Sequence, residues 1–167
     1  TAVVVDVTIR PGWNLVALYG GASPAPVASG MCAAVTSSST HTVIEIDRWE
    51  RSGWEAHICG VPPNDFPLEP GRGYFVRAEQ ATVWRYESVT SVPVALGVGW
   101  KLVASNETVG AASSVCVELN AVRQGTVIEL DRWIDGGWEG HRCGLPVNDF
   151  VLEAWQGYFI RMASPAT

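Results

Sequence analysis

Apolar and polar positions alternate with a period of two along most of the chain, in short blocks closed by Gly, Pro, Asn or Asp. Strands are predicted at residues 13–18, after the Pro11-Gly12 turn, at 42–49 and at 54–58, the last two joined as a hairpin through residues 50–53. A loop rich in Pro, Asn and Asp follows, then strands at 73–77 and 82–86. Residues 23–35 break the pattern: they are rich in small apolar side chains at helical spacing and predict a short helix, as do residues 109–119. Alternation along residues 43–49 sets Ile44, Ile46 and Arg48 on one face and Val43, Glu45, Asp47 and Trp49 on the other.

The pattern occurs twice. Residues 42–77 align without gaps to residues 126–161 with 23 identities in 36 positions. Upstream, Trp13 matches Trp100, the segment between being three residues shorter in the second copy. The halves fall at 1–90 and 91–167, each small for an independent core, so a shared interface and a pseudo-twofold axis are expected. The second copy stops at Met162 with no partner for the 82–86 strand, and the apolar segment 1–6 is predicted to fill that slot. The expected class is a β-rich α+β fold of two antiparallel repeats with one short helix each, packed as one closed unit.

Seventeen acids against eleven bases give a charge of −6, and Lys101 is the only lysine. That argues against a phosphate-driven nucleic-acid partner. No apolar run nears the roughly 20 residues that span a bilayer, so membrane insertion is not expected. The chain opens at Thr1 and closes on a linker-like Ala163-Ser164-Pro165-Ala166-Thr167, which suggests a piece of a longer polypeptide joined to other domains.

Cys32 and Cys59 are 27 residues apart, as are Cys116 and Cys143. Repeat symmetry favours disulfides within each copy, and with them an oxidising compartment. Two other readings stay open: free thiols, and a metal site using His57 and Cys59 or His141 and Cys143, although each copy offers only three obvious ligands where zinc wants four. The plain reading of both histidines is a hydrogen bond to backbone. No metal or other cofactor is expected.

Eight tryptophans call for a role. Six are duplicated: Trp13 and Trp100, read as core; Trp49 and Trp133, which share a strand face with Glu45 and Asp47 or Glu129 and Asp131; and Trp54 and Trp138, on the second hairpin strand. An indole beside carboxylates suits a sugar, the ring covering the C–H face while the carboxylates accept from hydroxyls. The competing reading places Asp47 and Arg48 in ion pairs with Arg77 or Arg161, with the Trp as core. Trp84 with Tyr86, and Trp155, which stands where the first copy has Gly71, lack counterparts and are the strongest candidates for exposure and binding. Known catalytic motifs are missing. Carboxylates such as Glu45, Glu55 and Glu69 could form a glycosidase pair, but a duplicated small β unit offers no evident deep cleft, and no catalytic residue is assigned.

The run P-G-W-N-L-V-A-L at 11–18, W-x-x-x-G-W at 49–54 and L-E-P-G-R-G-Y-F-V at 68–76 together resemble the tandem "GWNLVS…LEPGKGYWV" modules of bacterial and archaeal secreted and cell-surface proteins. The resemblance spans nearly the whole chain, twice; the second copy departs from it at Val98-Gly99-Trp100-Lys101 and Glu153-Ala154-Trp155-Gln156-Gly157. It implies an extracellular accessory role and supplies no site residue. The expected function is a non-catalytic module that binds polysaccharide through exposed Trp and neighbouring carboxylates. The alternative is a structural spacer, adhesion or protein-interaction module.

Overall fold

A computed structural model describes residues 3–18, 26–35, 42–51, 53–88, 94–105, 110–121 and 123–166. The chain forms ten strands and two short helices: β1 (Val3–Ile9), β2 (Gly12–Leu18), α1 (Ala28–Val35), β3 (Val43–Glu50), β4 (Gly53–Ile58), β5 (Arg72–Ala78), β6 (Thr82–Ser88), β7 (Gly99–Ala104), α2 (Ala112–Ala121), β8 (Val127–Ile134), β9 (Gly137–Arg142) and β10 (Gly157–Met162). Positions 1–2, 23–25 and 109 of the predicted strand and helices lie outside the described residues.

All strand pairs are antiparallel. Eight strands form one sheet in the order β4-β3-β5-β7-β10-β8-β9, with β2 on β5, and β1 pairs β6 in a separate ribbon. The register of one hairpin recurs in the other: Trp49 faces Trp54 across β3–β4, and Trp133 faces Trp138 across β8–β9. The two sets of strands meet through Arg72↔Val103 and the isolated bridge Val16↔Gln156.

Period-two alternation distributes β5 between the two sides of the sheet. Tyr74 and Val76 join one core with α1 and the β1–β6 ribbon, while Phe75 joins a different cluster with Leu15, Leu102 and Phe159. A third cluster gathers β8, β10 and α2. Helices of eight and ten residues are too short to persist alone and are held by tertiary contacts. Asp65 accepts from the Ser29 amide (2.9 Å) and hydroxyl (2.6 Å), satisfying the start of α1; Asp149 does the same for Ser113 in α2. Disulfides Cys32–Cys59 and Cys116–Cys143 tie each helix to the end of its hairpin, as repeat symmetry predicts.

Two expectations require correction. The strand near the N-terminus does not complete the second copy: β1 pairs along its whole length with β6, and the Asp6 carboxylate takes a two-pronged bond from Arg85. Its apolar side, Val5, Val7 and Ile9, covers the first copy's core. Val43 does not share the face of Glu45 and Asp47. The register slips between Val43 and Glu45, a bulge at Ile44 that returns Val43 to the core beside Ile46.

Candidate functional site: an aromatic face on the sheet

The side of the sheet opposite the helices is built from duplicated aromatics. Phe75 and Phe159 form its floor, both buried. Trp54 lies 5.4 Å from Phe75 and 5.8 Å from Phe159, and Trp138 lies 5.5 and 5.4 Å from the same rings, edge to face. The two indoles therefore straddle the seam between the copies. They are 48% and 47% exposed, more than any other tryptophan among the described residues, and their ring N–H groups have no hydrogen-bond partner there.

Trp49 and Trp133 are locked beneath them. Each stacks edge-on against its own hairpin partner at 5.0 and 5.2 Å, and each also touches the other copy's phenylalanine. Their N–H groups donate across the seam, Trp49 to the Trp100 carbonyl (3.2 Å) and Trp133 to the Trp13 carbonyl (3.1 Å). Trp13 and Trp100 are half-buried at the margins, where Arg77 and Arg161 lie over their rings at 5.6 and 5.8 Å. Glu45 accepts an ion pair from Arg77 (3.3 Å), and Glu129 sits 3.9 Å from Arg161.

Asp47 and Asp131 lie between these charged margins and the aromatic centre. Burial first, and then the negative charge of Glu45 or Glu129, pushes both carboxyls up to about 6; Arg77 partly offsets this at Asp47. In each, Oδ1 is buried without a hydrogen-bond partner among the described residues. The cross-strand neighbour of Asp47 is Ala56, and that of Asp131 is Gly140. A methyl at Gly140 would come within 2.6 Å of the Asp131 Oδ1, so the glycine makes room for that carboxylate. Beside Asp131 a cavity of about 240 Å³ opens, walled by Trp49, Trp54, Trp100, Trp138 and Phe159.

The sequence put Glu45, Asp47 and Trp49 on one strand face, and Glu129, Asp131 and Trp133 on another; the structure brings both sets together with Trp54 and Trp138 on one side of the sheet. Sequence reasoning misplaced the unduplicated aromatics. Trp84 and Tyr86 are 3% and 8% exposed and belong to the first copy's core, where Tyr86 donates to the Ala17 carbonyl. Trp155 is half-buried rather than exposed: it packs edge-on against Tyr86 at 6.5 Å. Its backbone clasps both copies, the amide donating to Ser105 and the carbonyl accepting from Ala17. Lack of a counterpart marked these residues as unusual but not as accessible. The floor residues Phe75 and Phe159 stand one step from Tyr74 and Tyr158 on their strands, and that alternation is the sequence signal that they face the tryptophan side.

His57 and His141 are buried, with Nδ1 facing the carbonyls of Pro63 (3.2 Å) and Val147 (2.9 Å), and the cysteines beside them are in disulfides. Among the described residues no helix is long and apolar enough to cross a membrane. Comparison of the chain with protein-family models, with curated proteins and with solved structures finds no match.

Proposed function

We propose that the protein is a non-catalytic carbohydrate-binding module of the secreted or cell-surface kind, with Trp54 and Trp138 as stacking platforms and Asp47 and Asp131 as acceptors for sugar hydroxyls. The observation that carries the reading is the pair of half-exposed indoles with free N–H groups, held on a buried aromatic floor beside two carboxylates with unsatisfied oxygens. A rigid floor restricts the rotamers of the platforms before any ligand arrives, which lowers the entropy cost of binding. The cavity by Asp131, about 240 Å³, is below the roughly 300 Å³ at the lower end for ligand sites; it suits one ring of a longer, surface-lying chain.

The pseudo-twofold relation of the repeats belongs to the same proposal. It is supported by the bridges Val16↔Gln156 and Arg72↔Val103, which join corresponding positions in opposite order, and by the reciprocal Trp49 and Trp133 hydrogen bonds. Two like platforms on one rigid sheet would bind a repeating polymer with avidity. The two disulfides fit an oxidising compartment, and the resemblance to tandem secreted modules points the same way.

Retention on insoluble glucans and chitin, together with a glycan array, tests the reading. Binding is expected, with Trp54→Ala or Trp138→Ala each weakening it about tenfold while the variant still unfolds cooperatively, at a lower midpoint because its aromatic contacts are lost. Absence of binding to every glycan, or binding indifferent to both substitutions, would reject it in favour of the spacer or protein-interaction reading.

A further inference from the structure

A second cleft, of about 530 Å³, lies between β2 of the first copy and the β8–β9 turn and 151–156 loop of the second. Its origin can be read by comparing the copies, residue by residue, at a fixed offset of 84. In the first copy Arg72 bridges two acids: it donates from Nη1 to Glu50 and from Nε to Glu69 at 2.8 Å. That guanidinium fastens the 69–72 loop to the end of β3. In the second copy Glu153 is retained in the place of Glu69, but Gln156 replaces Arg72 and Ile134 replaces Glu50. Asp135 replaces Arg51, and Trp155 replaces Gly71. Two acids and two arginines have become two acids with no base. Among the described residues Glu153, which lines the cleft, has no ion pair, and the Glu50–Arg72–Glu69 bridge has no counterpart there.

We propose that this cleft is a binding site for the arginine side chain of a peptide or protein partner, entering where the first copy places its own Arg72. Glu153 would take the charge that Glu69 takes internally, and Asp135 supplies a second carboxylate at the mouth. Trp155, half-buried against Tyr86, lines the cleft beside them and reports on its occupancy. Asp6 is held by Arg85 and Arg132 by Glu139, which leaves Asp135 and Glu153 against Arg10, a balance of one negative charge. The site is separate from the sugar platforms Trp54 and Trp138, neither of which lines it.

The test is a titration of the full chain with a capped Gly-Arg-Gly peptide, followed by the amide and indole resonances of Glu153 and Trp155. The control peptide carries citrulline, which has the same shape without the charge. Saturable shifts with the arginine peptide, at least tenfold weaker with citrulline and weakened by salt, are expected. Gln156→Arg combined with Ile134→Glu rebuilds the first copy's bridge inside the second; it should reduce peptide affinity at least tenfold and raise the melting temperature. Glu153→Gln should reduce affinity by a similar factor, whereas Trp54→Ala with Trp138→Ala should not alter it. Equal binding of the citrulline peptide, unchanged binding by the grafted variant, or no binding at millimolar peptide would overturn the proposal. So would a glycan that moves the Trp155 resonances when the peptide does not. Because the platform variants leave this readout untouched, failure here and failure of the sugar-binding reading are distinguishable.

Discussion

Asp47 and Asp131 are the residues whose state the folded protein has most clearly altered. An isolated aspartate titrates near 3.8, and here both are held up to about 6, so the folded form binds the proton more tightly than the unfolded chain does. Their contribution is therefore fully present below about pH 4 and lost as pH rises through about 6. Asp47→Asn and Asp131→Asn keep the shape without the charge. Each is expected to match the parent in urea stability at pH 4 and to exceed it at pH 7. With the side chains half exposed to solvent, the gain is only about 1 kcal/mol each. A ligand hydroxyl donating to the same oxygen relieves the same penalty, so sugar binding should strengthen between pH 5 and 7 and lose that dependence in the asparagine variants.

At the scale of elements, each helix depends on its disulfide and its aspartate cap more than on its own sequence. Closing a loop of 27 residues removes unfolded-state entropy equivalent to about 3.5 kcal/mol. Cys32→Ser with Cys59→Ser is expected to cost an amount of that order in urea denaturation, with an unchanged β-sheet signal in circular dichroism. The strands, hairpins and disulfides were legible in the sequence because period-two alternation and equal cysteine spacing each recur in two copies. Two features were not. Alternation counts every residue once, so the extra residue Ile44 in the bulge moved Val43 to the wrong face. Alternation also states which face a strand presents but never which strand lies beside it, so the partner of β1 could only be guessed from a vacancy in the second copy. The same limit applied to Trp84: its strand was legible, and the packing of the β1–β6 ribbon on the first copy's core, which buries it, was not.

On the scale of the whole molecule, the aromatic centre belongs to neither half. Phe75 is touched by Trp133 and Trp138 of the second copy, Phe159 by Trp49 and Trp54 of the first, and Trp155 of the second copy packs on the first copy's core. Separately produced fragments 1–90 and 91–167 would expose those faces, and small units have little stability to spare. Neither fragment is expected to show the cooperative thermal transition of the intact chain, while mixing the two should restore near-ultraviolet dichroism. Crowding six indoles onto one surface also has an optical consequence. Transition dipoles of Trp49 and Trp54, 5.0 Å apart at 71°, and of Trp133 and Trp138, 5.2 Å apart at 75°, are close enough to couple. Excitation absorbed by Trp49 or Trp133 is expected to pass to the solvent-open Trp54 or Trp138 beside it, a transfer that fluorescence anisotropy checks. The native chain therefore carries an unlabelled fluorescent sensor on the surface where its ligand is expected to land.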